Sequence, residues 1–134
     1  MQILEYQERL EMKRDMDLIR DLLLEVEGNP LYDGTKWVHP VNPSELNIKN
    51  HSREEVGYHL TMLIEEGFIK GKSGMETIPV INKLTWKGHE LLDDIRDQQI
   101  WAQTKKRTEG LASVGIQFIW EIAKAEIRNK LGLP

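Results

Sequence analysis

Four lysines, Lys70, Lys72, Lys83 and Lys87, fall between Gly67 and Gly88 against a single acid, Glu76, a local balance of +3 in a chain whose net charge is −4. Ammonium groups gathered this way neutralise phosphate, which supplies most sequence-independent affinity for DNA. Lys70 and Lys72 stand on alternate residues of a stretch that reads as a strand, so they share a face and reach phosphate together. The plain alternative is that charges on an exposed strand block edge-to-edge pairing. Gly71-Lys72-Ser73 copies the end of a phosphate-cradling loop, but the motif needs glycine where Glu66 stands and a helix where a turn and a second strand are expected. Nucleotide hydrolysis is therefore not expected.

The remaining chemistry-bearing residues argue against catalysis. His39, His51, His59 and His89 are scattered, without the spacing that sets two ligands on one helical face, so no metal site is expected. His59 reads as a partly buried helix residue, and His89 with Asp93 has the i,i+4 spacing of a surface pair. Asp15, Asp17 and Asp21 complement the start of a helix dipole, with Asp17 and Asp21 on one face. There is no cysteine, hence no disulfide, thiolate ligand or cysteine nucleophile, and no Gly-x-Ser-x-Gly elbow. The expectation is a protein that is not an enzyme and uses no cofactor. Of the four tryptophans, Trp86 and Trp120 fit the core, while Trp37 and Trp101 are candidate exposed anchors for a partner, where aromatic residues concentrate.

The elements that must position these groups follow from apolar period and stop signals. Met12, Met16, Ile19, Leu23 and Val26 predict an amphipathic helix over residues 12–27, stopped by Gly28-Asn29-Pro30. Residues 36–48 hold at most a short strand and one helical turn near Ser44. Ser52 and Glu55 have capping-box spacing at the head of a helix that buries Val56, Leu60, Leu63 and Ile64 and ends at Gly67. Residues 68–72 and 80–86 predict a two-stranded hairpin, and a single helix follows Gly88 over residues 89–107. A last helix over residues 113–131 carries apolar side chains around a wide arc, with Phe118 and Ile122 extending it. That width predicts two packing surfaces and a homodimer. Residues 1–11 form an extension, residues 12–97 the main domain, and residues 98–134 a helical segment for dimerisation.

This order, with the segment Gly57, His59-Leu60, Leu63, Gly67-Phe68-Ile69, resembles the recognition helix and following strand of the ArsR and MarR classes of winged-helix repressor. Leu84-Thr85 and Gly88-His89-Glu90-Leu91-Leu92 resemble the step after their wing. More closely, the segments at residues 12–20, 54–67 and 84–97 resemble a family of unknown function carried by phages, prophages and their bacterial hosts, over about residues 12–131. The resemblance implies an α+β winged helix-turn-helix-like domain and a mobile-element origin, and it implies no activity. One departure stands out: the repressors set a full helix before the recognition helix, to cross the phosphate backbone, whereas residues 38–50 leave room for little more than a turn.

With Val56, Leu60, Leu63 and Ile64 inward, the capped helix presents Arg53, Glu54, Gly57, Tyr58, Thr61, Met62 and Glu65. Base edges are matched mainly by Arg, Lys, Asn and Gln, and Arg53 alone is of that kind here. Residues 1–35 carry four basic groups against nine acidic ones, which favours a protein partner. Two functions are therefore expected. The first is a DNA-binding accessory or transcription-regulatory protein of phage type, with Arg53, Tyr58 and Thr61 toward a groove and the four lysines on phosphate. The second is a module that binds or inhibits a host or phage protein through Trp37, Trp101, Phe118 and Ile122. No stretch reaches the length of a membrane span or a signal core, so a cytoplasmic location is expected.

Overall fold

Most α-helices among the described residues begin where a side-chain oxygen takes up a free amide. In the computed structural model, which describes residues 13–111 and 114–134, Asp15 caps α1 (Met16–Gly28) by accepting from Leu18 N, and Ser52 caps α2 (Arg53–Glu65) by accepting from Glu55 N. The Glu55 carboxylate in turn accepts from Ser52 N, completing the capping box. Thr85 and Asp97 do the same for α3 (Trp86–Ile95) and α4 (Gln98–Arg107), whereas α5 (Ile116–Lys130) starts at Gly115 without such a cap. The N-terminal extension, Met12 and Ser113 lie outside the described residues.

Two expectations are corrected by these caps. The single helix over residues 89–107 is two helices, because the Asp97 carboxylate accepts from Ile100 N and begins a new one. The second strand ends at Leu84 rather than Trp86, because the Thr85 hydroxyl accepts from Gly88 N and starts α3 with Trp86 and Gly88 inside it. Trp86 is accordingly 81% exposed, its indole N–H donating to Glu90, and is no core residue. The last helix begins at Ile116, later than expected.

The sheet has three strands rather than two. β1 (Asp33–Val38), β2 (Ile69–Lys72) and β3 (Val80–Leu84) are antiparallel in the order β1-β3-β2. Lys70 pairs with Lys83 and Gly71 with Ile81, so Asn82 is skipped by β2. On the other side Asp33 pairs with Lys83 and Val38 with Ile81, leaving residues 34–37 of β1 bulged opposite Asn82. The short helical turn expected near Ser44 is a 3-10 turn at Pro43–Leu46.

One cluster of buried side chains runs through every helix and the sheet, from Leu22 and Leu23 of α1 through Leu60, Ile81 and Leu92 to Trp101 and Trp120. His59 is fully buried, beyond the partial burial expected, and both ring nitrogens are used: Nε2 accepts from Asp15 N and Nδ1 donates to Glu55 O. The end of α2 is closed by Gly67, at φ 81°, with Phe68 N donating to Leu63 O and Gly67 N to Ile64 O. Gly57 was expected on the open face of α2. It is buried instead, and a Cβ there would stand 1.9 Å from the Thr77 carbonyl, so the hairpin backbone lies directly on this helix.

Candidate nucleic-acid interface

The outward face of α2 carries more acid than base. Arg53 lies in its first turn and Tyr58 is exposed, but Thr61 and Met62 are half-buried, and Glu54, Glu65 and Glu66 complete the exposed set. The Gly57 side of this helix lies under the Thr77 carbonyl and is covered by the hairpin.

The lysines divide. Lys70 lies directly across the ladder from Lys83, which sets the two stems on one face about 5 Å apart at Cβ. Lys72 is two residues along the same strand. The ammonium of Lys72 lies 4.7 Å, and that of Lys70 5.8 Å, from the centre of the Trp37 ring on β1. Trp37, a candidate exposed anchor in the stretch where at most a short strand is expected, lies on that strand, 44% exposed and with two cations at its ring. The sheet thus brings a candidate anchor and two of the phosphate-binding candidates together. Lys87 stands apart: it lies on the first turn of α3, donates to Glu66 O at the end of α2, and packs over the Phe68 ring. Its ammonium caps a helix, which is favourable in its own right.

A residue not foreseen sets the geometry. Asn82 is buried, and its Nδ2 donates to Gly34 O at 3.1 Å and Lys36 O at 3.0 Å, clamping the bulge that leads into Trp37. Its Oδ1 finds no partner among the described residues. A signal was present, since an amide within Val80-Ile81-Asn82-Lys83-Leu84 is unusual for a strand and breaks its alternation. Asp33, the acid opposite Lys83, turns its carboxylate to the hydroxyl and amide of Thr35, and the Thr35 hydroxyl bond foremost holds it below the usual carboxylate range.

The other singled-out residues are placed elsewhere. Trp101, expected as an exposed anchor, is only 4% exposed, its N–H bound by Asp17, and is corrected to a core residue. Trp120 is buried as expected, its indole N–H donating to Asp94. Phe118 on α5 is 48% exposed and Ile122, one turn on, is half-buried. His89 faces Glu27 rather than Asp93, which is taken by Arg96. His51 lies between Glu55 and Asp15. After Lys72 and Ser73 the chain runs through a turn into β3, not into a helix.

A family model described as Hypothetical protein (DUF2513) matches residues 13–115. The chain belongs to this family. The DUF2513 match takes in everything from α1 to α4, including Trp37, the lysines and Asn82, and stops where α5 begins. An uncharacterised protein of Haemophilus influenzae is 35% identical over 130 residues, covering 90% of this chain and 99% of the relative. No solved structure matches this DUF2513 chain. Among the described residues no helix is long and apolar enough to cross a membrane.

Proposed function

We propose that the chain is a non-enzymatic DNA-binding accessory or regulatory protein, acting in the cytoplasm, that grips phosphate with the open face of its sheet. The observation that carries this reading is the meeting of Lys70 and Lys72 at the Trp37 ring, with Lys83 directly across the ladder from Lys70. Like charges directly opposite in a ladder destabilise it, and a bound polyanion reverses that cost. The order of α2, the β2–β3 hairpin and α3 supports a winged-helix arrangement in which the hairpin is the wing. The resemblance to phage and prophage proteins supports a mobile-element origin. The test is fluorescence anisotropy with labelled DNA at two salt concentrations. Salt-sensitive binding is expected for the wild type, with a flatter slope for the Lys70→Ala/Lys72→Ala variant. Absence of binding at low salt would defeat the reading.

A second reading has its own observation. Phe118, with Ile122 beside it on α5, presents an apolar surface far from the lysines in sequence, and the acidic outer residues of α2 would repel phosphate. This favours a protein partner, either a second copy through α5 or a host or phage protein. A sedimentation experiment on Phe118→Asp separates the two: a dimer lost in the variant supports self-association, and a monomeric wild type removes it.

A further inference from the structure

We infer that the Trp37 face receives an unpaired nucleotide, so that the nucleic acid bound is single-stranded rather than a closed duplex. This rests on the phosphate-binding reading above and names the form of nucleic acid it acts on.

The argument begins with what an indole can recognise. Trp37 offers a broad aromatic face and a single N–H donor, so it reads no pattern of base edges. It can stack on a base, and in a closed duplex the base faces are already covered by their neighbours. An exposed tryptophan on a sheet, bordered by cations, is the chemistry by which extended strands are held: the ring stacks a base and the cations follow the backbone. Lys72 and Lys70 rest near this ring at 4.7 Å and 5.8 Å. Their flexible stems allow the ammoniums to swing to flanking phosphates as a base takes the ring. Lys70 and Lys72 are two residue steps apart on the strand, about 6.6 Å, which suits successive phosphates of one extended strand.

The duplex alternative needs an element to enter the major groove. The helix in the required position offers one cation, Arg53, and Tyr58 against Glu54 and Glu65, with Glu66 just past its end, and its Gly57 lies beneath the hairpin backbone. A full helix before it, which would cross the duplex backbone, is replaced by the 3-10 turn Pro43–Leu46. The backbone leading into Trp37 is also held before any ligand arrives, because the Asn82 amide clamps both Gly34 O and Lys36 O. The strand that carries the ring then loses little freedom on binding.

The experiment uses the full chain with labelled oligothymidylate, oligouridylate and a blunt two-stranded duplex, titrated by anisotropy at two salt concentrations. Both single strands should bind at least tenfold tighter than the duplex. Trp37→Leu should weaken single-strand binding about tenfold, the loss of one stacked base, with an unchanged salt slope. Trp37→Phe should restore part of that loss, and Lys70→Ala/Lys72→Ala should flatten the slope. Far-ultraviolet circular dichroism of each variant checks that the fold is intact. Duplex bound as tightly as single strands, or Trp37→Leu binding oligothymidylate like the wild type, overturns the inference while leaving the DNA-binding reading in place. If none of the three probes binds even at low salt, both fail, and the surface passes to a protein partner.

Discussion

The indole N–H of Trp101, on α4, donates to the carboxylate of Asp17, in the first turn of α1, at 2.7 Å. This bond ties two helices whose sequence positions are far apart, and Lys105 reaches the same carboxylate at 3.0 Å. Replacing Trp101 by Phe keeps an aromatic core residue but leaves the carboxylate short of a donor and a small void beneath it. A hydrogen bond to a charged group and a partial cavity together amount to about 2 kcal/mol. Urea unfolding of Trp101→Phe should show that loss with an unchanged slope. A midpoint equal to the wild type would mean that the bond is made no better than water makes it.

The same carboxylate fixes the sign of the acid response. Burial pushes Asp17 up, but the hydrogen bonds from Trp101 and Lys105 outweigh it and hold the group below 3.8. Glu27 is held below 4.5, chiefly by the bond from Arg96. Both groups bind protons less readily folded than unfolded, so their stabilisation is complete above about pH 5 and is lost as pH falls through the folded values. Asp21 acts in the opposite sense, since burial raises it. Thermal melts from pH 6 to pH 3 should therefore fall less steeply in Asp17→Asn/Glu27→Gln than in the wild type. A parallel decline would place the acid sensitivity elsewhere.

Local signals made much of this fold readable. Ser52 and Glu55, three residues apart, marked the start of α2, and Gly67 marked its end. The break between α3 and α4 was hidden because Leu91, Leu92 and Ile95 run on to Ile100 and Trp101 with apolar residues at workable spacing. Only Asp97, a side chain able to cap, betrays it. Trp86 was misplaced for a related reason: an apolar residue extending a strand looks inward until the hydroxyl of Thr85 is seen to turn the chain. At the candidate site the shared face of Lys70 and Lys72 followed from strand period alone. Their meeting with Trp37 did not, because it depends on β1 pairing with a strand more than forty residues later, and period carries no information about such pairing.

Gly57 tests whether the hairpin truly covers this side of α2. Within a helix, Gly→Ala ordinarily gains about 1 kcal/mol. Here the new methyl would stand 1.9 Å from the Thr77 carbonyl, which is backbone and cannot rotate away. Overpacking of this kind costs about 1–3 kcal/mol, so the clash should win and Gly57→Ala should lower the melting temperature by several degrees. A stabilised Gly57→Ala would show that the hairpin stands off the helix in solution, and with it that this side of α2 is open to a ligand.

Asn82 separates how the Trp37 face is shaped from what it attracts. Its Nδ2 holds the carbonyls of Gly34 and Lys36, and it carries no charge that could draw phosphate. Asn82→Ala removes two hydrogen bonds but also an acceptor without a partner, so the net loss of stability should be modest, about 1 kcal/mol. The effect on binding should be larger in proportion, because a loosened bulge lets the Trp37 ring sample orientations that do not stack, and that freedom must be given up again when a ligand binds. Single-strand affinity should fall while the dependence on salt stays that of the wild type, since Lys70, Lys72 and Lys83 are untouched. A flattened slope in Asn82→Ala would instead mean that the bulge orders the lysines and that the phosphate contacts, not the ring, are what Asn82 maintains.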